Sequence, residues 1–260
     1  MQLEGGATNG AEQPLKVTPF APPAIIATTL ASTTRIFSFD VEVHDYIKTG
    51  KKKQGRMDSK YNQFALTEDC NLKYSRPIQF GWADGECGEQ PTVKQVLVQP
   101  AGYKVSSLAT DYHGITDAQA RHEGVPILNA LESFAAAFMA AHAKGALFIA
   151  HQISYDAEII SQEMGRCGLH DMQQLWERII STRGFCTMSP IVGKWVLSCA
   201  NQQTKEDGQH ALGLGKIASY VAPEWKHLAG TEGSHDAGRD AQLAFYVFAA
   251  LAHRAKEFQK

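Results

Sequence analysis

The chain has 260 residues, 44% of them hydrophobic, and a formal net charge of −2 at pH 7, which fits one large globular domain. This balanced charge gives no general affinity for polyanions, so a nucleic-acid partner would have to be held by a local site. No apolar run reaches the ~18 residues that a membrane-spanning helix needs. Residues 1–16 also lack the apolar segment of a signal peptide, so we expect no membrane partner.

The chain has five cysteines, an odd number, and none of them forms a CxxC pair: Cys70, Cys87, Cys167, Cys186 and Cys199. This usage is typical of reduced thiols rather than of a disulfide framework or a zinc cluster. It predicts an intracellular protein of a reducing compartment, the cytoplasm or the nucleus.

In chain order, residues 1–33 are rich in Ala, Gly, Thr and Pro and predict a loosely ordered leader before a domain that spans 34–260. Strands bounded by Gly, Pro and polar clusters are predicted at 34–42, 77–83, 93–99, 146–150 and 184–187. Helices are predicted at 126–143, 154–167, 171–181, 187–199, 211–221 and 235–257. A polar insertion at about 45–75 and a polar loop at 200–210 are long enough to be either functional or disordered.

The order of these elements predicts the topology of the fold. Three early strands with short connections favour an antiparallel meander, and later strands separated by helices favour parallel crossovers. The predicted fold is therefore α/β, with a mixed sheet of about five strands and helices on both faces. Trp82 and Trp195, which lie on predicted regular elements, are expected in the core.

The strand predicted at 34–42 ends in two closely spaced acids, Asp40 and Glu42. Because side chains alternate along a strand, both carboxylates lie on one face, while Val41 points the other way with Phe39. Two like charges this close repel each other unless one takes a proton or a cation neutralises both. Oxygen ligands favour hard ions such as Mg²⁺ or Mn²⁺, although a frayed strand end with two solvated acids would show the same pair.

Two further stretches carry acids at chemically useful places. In ALFIAHQISYDAEII, residues 146–160, Asp156 falls in the first helical turn after a short apolar strand, where α/β sheets bind ligands. Asp156 could instead only complement the helix dipole. In GSHDAGRDAQLAFYVFAAL, residues 233–251, His235 precedes Asp240 by five residues at the head of an apolar helix. Asp236 is a rival acid because it shares a helix face with Asp240, and a lone histidine in a loop is usually solvated.

Taken in order, these stretches resemble the three exonuclease motifs of the DEDDh-type (DnaQ-like) 3′–5′ exonucleases, which include bacterial proofreading epsilon subunits. Asp40-x-Glu42 resembles motif I, His151-Gln152-x-x-Tyr155-Asp156 resembles motif II, and His235-x-x-x-x-Asp240 resembles motif III. Ile78-Gln79-Phe80-Gly81 and Tyr112-His113-Gly114-Ile115-Thr116 also resemble the family. The resemblance implies an RNase H-like fold, in agreement with the predicted sheet.

The resemblance also implies a metal-dependent exonuclease that releases nucleoside 5′-monophosphates from 3′ ends. Two divalent cations, Mg²⁺ or Mn²⁺, would be held by Asp40, Glu42, Asp156 and Asp240. Asp40 would contact both ions, Glu42 and Asp240 would complete the first site, and Asp156 would serve the second. His235 would take the proton from the attacking water. The implied partner is a single-stranded or frayed 3′ end of nucleic acid, and family members occur as monomers, homodimers and polymerase subunits.

The sequence departs from the common family pattern at two places. Val43, His44 and Asp45 follow motif I where Thr and a small residue are frequent, and Gln152 stands where Asn is usual. Candidate substrate contacts, each of which could equally be ordinary packing, are Val41, Val43, His44, His113, Ile115, Gln152 and Tyr155. The insertion adds Lys51, Lys52, Lys53 and Arg56, which could contact a phosphate backbone or form a solvated face.

Three alternatives to a DNA exonuclease stay open at this point. The substrate could be RNA, as in an RNA-end-processing or oligoribonuclease-like enzyme. The chain could be a catalytically silent nucleic-acid-binding module of the same fold, although the full set of four acids and His235 argues against this. It could also be a different two-metal nuclease that cuts within a strand, which the spacing of His235 and Asp240 disfavours.

Overall fold

A computed structural model of the chain describes residues 24–45, 57–58, 63–64, 74–200, 212–230 and 234–257. The strands are β1 (Arg35–Val43), β2 (Met57–Asp58), β3 (Gln63–Phe64), β4 (Pro77–Glu86), β5 (Thr92–Leu97), β6 (Leu147–Ala150) and β7 (Gly184–Cys186). The helices are α1 (Ala24–Ser32), α2 (Ser107–His113), α3 (Asp117–Glu123), α4 (Ile127–Ala143), α5 (Ile153–Arg166), α6 (His170–Arg183), α7 (Pro190–Cys199), α8 (Leu214–Val221) and α9 (Ala237–Glu257). A 3₁₀ helix spans Pro223–Leu228.

Five of the strands form one mixed sheet in the order β5-β4-β1-β6-β7. β4 pairs antiparallel with both β1 and β5, and β6 pairs parallel with both β1 and β7. The predicted antiparallel meander and the predicted parallel crossovers are both confirmed. β2 and β3 pair with each other in a separate two-stranded sheet.

Helices cover both faces of this sheet, and β1 contributes apolar side chains to the core on each face. Phe37, Phe39 and Val41 belong to a buried cluster that includes the packing faces of α4, α5 and α6. Ile36 points the other way and joins a second cluster with α1, α7 and α9. Trp82 and Trp195 are buried, as expected. Among the helices of the described ranges, none is long and apolar enough to cross a membrane.

Three helices differ from the expectations. α1 lies within the segment that composition marks as a loose leader, and it is ordered because Ile26 and Leu30 are buried in the cluster shared with α9. α2 and α3 have only seven residues each, too few for a clear helical period, and they begin at the capping side chains of Ser106 and Thr116. Residues 1–23, most of the insertion including Lys51, Lys52, Lys53 and Arg56, and residues 201–211 lie outside the described residues.

The start of α9 crosses the sheet at Gly81 of β4, which is the register partner of Asp40. A Cβ atom built on Gly81 would overlap with the main chain of Ala237 and of Gly238. The absence of a side chain at this position therefore lets the first turn of α9 lie directly on β4, next to the acidic end of β1.

We predict that Gly81→Ala lowers the free energy of unfolding by about 1–3 kcal/mol, because the first turn of α9 must move away from the sheet. Urea denaturation of the two proteins would measure the change. Gly213→Ala is the matched control, since an added Cβ there meets no atom within 4 Å. Equal losses in the two variants would contradict the proposed close approach.

Candidate metal centre

β1 brings the first two acids, Asp40 and Glu42, to the face of the sheet on which α9 lies. Ser38, two residues before Asp40 on the same face, donates a hydrogen bond of 2.7 Å to the carbonyl oxygen of Ala241 in α9. β1 pairs with β6 only through Ile36 to Ser38, so the two strands diverge before the acids are reached. The acids therefore stand at the carboxyl end of the strand, on the part of β1 that β6 leaves unpaired, which is the edge where α/β sheets bind ligands.

Asp156 lies in the first turn of α5, and its side chain is buried. The main-chain N–H groups of Val41 and of Asp156 itself favour its carboxylate and oppose the rise of its pKa that burial causes. The start of α5 thus lies beside β1. Asp156 thus does more than complement the helix dipole, because its side chain faces β1 and the other acids.

Asp240 and His235 come from the start of α9 and from the residues just before it. His235 Nδ1 lies 2.9 Å from Asp240 Oδ2, and this hydrogen bond raises the pKa of His235. Glu42, His235 and Asp240 each offer a ligand atom, and these atoms lie within 4.8 Å of one another. The rival acid Asp236 has another task, since its Oδ1 accepts a hydrogen bond of 3.0 Å from the N–H of Arg239 and so caps α9.

The four predicted ligands affect one another strongly. Burial raises the pKa of Asp40 well above its ordinary value, and the charges of Asp156, Glu42 and Asp240 raise it further. Burial and the charge of Asp240 raise the pKa of Glu42 to about 8. Burial and the charge of Glu42 likewise raise the pKa of Asp156. This concentration of carboxylates fits divalent cations with oxygen ligands, whose charge would remove the mutual repulsion.

Several of the side chains named as candidate substrate contacts are buried within the protein. Val41 and Val43 are buried in the core cluster, because they share the inward face of β1 with Phe39, and this is the ordinary packing that the sequence left open for them. His113 is also buried: its Nδ1 accepts from the N–H of Ile115, and its Nε2 lies 3.1 Å from the carbonyl oxygen of Val43. A neutral imidazole ring with its proton on Nε2 makes both of these hydrogen bonds.

The remaining candidates lie nearer the surface. His44 Nδ1 accepts a hydrogen bond of 3.1 Å from the N–H of Arg76, and its ring lies edge-on to Tyr103. Tyr155 is partly buried against the core. Gln152 is partly exposed and adopts a left-handed backbone with φ 76°, which Asn tolerates better than Gln. The motif II histidine, His151, is neutral because burial lowers its pKa to about 4.

Two residues of the site were not predicted as such. The ring of Tyr112 stacks on the ring of His235, with 4.3 Å between the centroids and 4° between the planes. The main-chain N–H of His235 also donates a hydrogen bond to the carbonyl oxygen of Tyr112, with 3.3 Å between nitrogen and oxygen. Gln79 forms hydrogen bonds with Asp236, which directly follows His235, and with Ala237, the first residue of α9. Both lie in stretches that the family resemblance includes, but a specific contact between distant segments has no local signal in the sequence.

The fold has solved counterparts at low sequence identity, and exonuclease I enzymes are among them. The E. coli enzyme in complex with a 5cy-dT13 oligonucleotide matches with a TM-score of 0.54 at 14% identity, over 87% of this chain and 42% of that chain. The enzyme from Methylocaldum szegediense matches with a TM-score of 0.53 at 15% identity, over 85% and 41%. A zinc-bound complex of the E. coli enzyme with single-stranded DNA matches with a TM-score of 0.51 at 16% identity, over 87% and 41%.

This chain therefore spans about two fifths of the length of those exonuclease I chains. No protein-family model matches its sequence, and no curated protein matches it. At such low identity the likeness is one of fold. The chain has an α/β, RNase H-like fold, as the sequence predicts.

We predict that Asp40→Asn stabilises the metal-free protein, because it removes one of the crowded carboxylates. Burial and the charges of Asp156 and Glu42 hold the folded pKa of Asp40 well above its ordinary value of 3.8. Between these two pKa values the folded state holds a proton that the unfolded chain has lost, so the free energy of unfolding falls as pH rises from about 4 towards 8. Since one pKa unit is worth about 1.4 kcal/mol, we expect Asp40→Asn to gain at least about 1 kcal/mol at pH 8.

Urea denaturation in EDTA across this pH range would measure the gain. Glu132→Gln, which removes an exposed acid in α4, is the control and should change little. A loss of stability in Asp40→Asn at pH 8 would contradict the described crowding of the acids.

Proposed function

We propose that the protein is a metal-dependent 3′–5′ exonuclease of the DEDDh type, which releases nucleoside 5′-monophosphates from the 3′ end of a nucleic acid. The observation that carries this proposal is the meeting of Asp40, Glu42, Asp156 and Asp240, from three distant segments, with His235 hydrogen-bonded to Asp240. The RNase H-like fold, which the chain shares with exonuclease I, supports it.

The residues that would hold two divalent cations, Mg²⁺ or Mn²⁺, are the four acids. Asp40 would contact both ions, Glu42 and Asp240 would complete one site, and Asp156 would serve the other. When bound, such ions stabilise the attacking and leaving oxygens of an in-line phosphoryl displacement. Glu42 and Asp240 suit a shared ion because their carboxylate oxygens already lie within 4.8 Å of each other.

His235 would accept the proton of the attacking water. Its Nδ1–H donates to Asp240, which leaves Nε2 as the basic nitrogen of the neutral ring. The stacked ring of Tyr112 holds the imidazole plane. Asp240 therefore has two tasks, as an ion ligand and as the group that orients the base.

Single-stranded DNA is the substrate that we favour, because exonuclease I structures of the same fold contain single-stranded DNA or a DNA oligonucleotide. RNA remains the alternative, as in an oligoribonuclease-like enzyme, since none of the site residues separates the two. A silent binding module is disfavoured because the chain keeps all four acids and His235. Association as a homodimer or with a polymerase stays a prediction.

A 5′-labelled single-stranded oligonucleotide, incubated with Mg²⁺ or with EDTA, tests the proposal. We expect a ladder that shortens from the 3′ end with Mg²⁺ and no change with EDTA. DNA and RNA run in parallel would give the substrate class. Cuts within the strand would contradict an exonuclease, and binding without cleavage would contradict an enzyme.

We predict that Asp240→Asn abolishes cleavage, because it weakens an ion ligand and the partner of His235 together. His235→Ala should slow cleavage by about 10²–10⁴-fold, the usual effect of losing a general base. Single-turnover rates at saturating protein would measure both. His253→Ala, at an exposed position near the end of α9, is the control and should cleave at the wild-type rate. Near-normal cleavage by Asp240→Asn would show that the site is assigned wrongly.

A further inference from the structure

The side chain of Gln79 in β4 joins the sheet to the start of α9, at Asp236 and Ala237. Its Oε1 accepts a hydrogen bond of 3.0 Å from the N–H of Ala237, and its Nε2 donates one of 3.0 Å to Asp236 Oδ2. The orientation of the amide follows from its partners, because an N–H can only donate and a carboxylate can only accept. Gln79 is buried, with 5% of its surface exposed, so both bonds are shielded from water.

These two bonds hold the segment that carries the reacting groups. Asp236 directly follows His235 and caps α9 through the N–H of Arg239. The N–H of Asp240 in turn donates to the Asp236 carbonyl oxygen at 2.9 Å. Gln79 is the register partner of Glu42 in the antiparallel pair of β4 and β1. One amide thus links β4, the strand beside Glu42, to the segment that carries His235 and Asp240.

We propose that Gln79 is a positioning residue that sets the distance of His235 and Asp240 from Glu42. This inference rests on the proposed function. Gln79 contacts none of these three groups directly in the hydrogen bonds described, so it acts through Asp236 and Ala237. Active sites need their groups held within about 0.5 Å, and a displacement of about 1 Å can lower the rate about 100-fold.

A neutral amide suits this position better than a carboxylate. Glutamate would keep the acceptor for the Ala237 N–H but would place a negative oxygen against Asp236. It would also add a carboxylate to a region where the charge of Glu42 already raises the pKa of Asp40 and of Asp156. Glutamine provides one donor and one acceptor with no charge.

An exchange of polarity between the two partners tests the inference. Gln79→Glu sets two acceptors against each other, and Asp236→Asn sets two donors against each other. The double variant Gln79→Glu with Asp236→Asn restores one donor and one acceptor and keeps the total charge of the wild type. Asparagine caps helices as well as aspartate does, so the cap on α9 survives in these variants.

We expect each single variant to lower kcat at least about tenfold while KM for a single-stranded oligonucleotide changes less than about threefold, since both polar atoms of the Gln79 amide are bonded to Asp236 and Ala237. The double variant should recover most of the loss. Calorimetric titration of each protein with Mn²⁺ alone gives a readout besides activity: the Kd should rise in both single variants and return in the double variant. Gln90→Glu, at an exposed position after β4, controls for the added charge.

Wild-type kcat and Mn²⁺ affinity in both single variants would overturn the inference. So would a double variant no better than the worse single variant, or losses that merely follow the melting temperature. If Gln79→Glu does not fold, Asp236→Asn and the double variant still give the comparison. A wild-type protein that cleaves nothing would overturn the proposed function instead, and the Mn²⁺ titrations would still decide the role of Gln79.

Discussion

The repulsion among crowded carboxylates at the end of β1 and the start of α5 is the constraint on which the rest of this structure depends. Glu42 and Asp156 are buried. Asp156 and Glu42 make Asp40 harder to ionise, and the charge of Asp240 raises the pKa of all three acids. Apolar residues at these positions would give a more stable protein, because buried charges need partners that the fold must supply. Strongly shifted acids in a crevice are typical of functional sites, and divalent cations are the partners that would relieve this repulsion.

Two features of the fold let the start of α9 lie close to these acids: a position in β4 without a side chain, and specific hydrogen bonds. Gly81 has no side chain, so the main chain of Ala237 lies against β4. The Gln79 amide then bonds Asp236 and Ala237 at the start of α9, and the ring of Tyr112 stacks on the ring of His235. Rigid elements thus present the reacting groups, while the residues around them decide how accurately the groups meet.

The sequence predicts most of the sheet, because alternation and strand order are local signals. The same alternation places Val41 on the inward face with Phe39, where the structure has both side chains in one buried cluster. α1 could not be predicted in this way, since it is ordered by packing on a helix more than two hundred residues later. The bond between Gln79 and Asp236 joins residues 157 apart, and only the folded chain defines it.

The central claim is that the acids meet in order to hold a pair of divalent ions. Anomalous diffraction from a crystal soaked in Mn²⁺ with a nucleoside 5′-monophosphate tests it most directly. We predict two manganese peaks about 3.5–4 Å apart, with Asp40 between them and Glu42, Asp156 and Asp240 around them. Manganese bound elsewhere on the protein, with no peak among these four carboxylates, would contradict the claim.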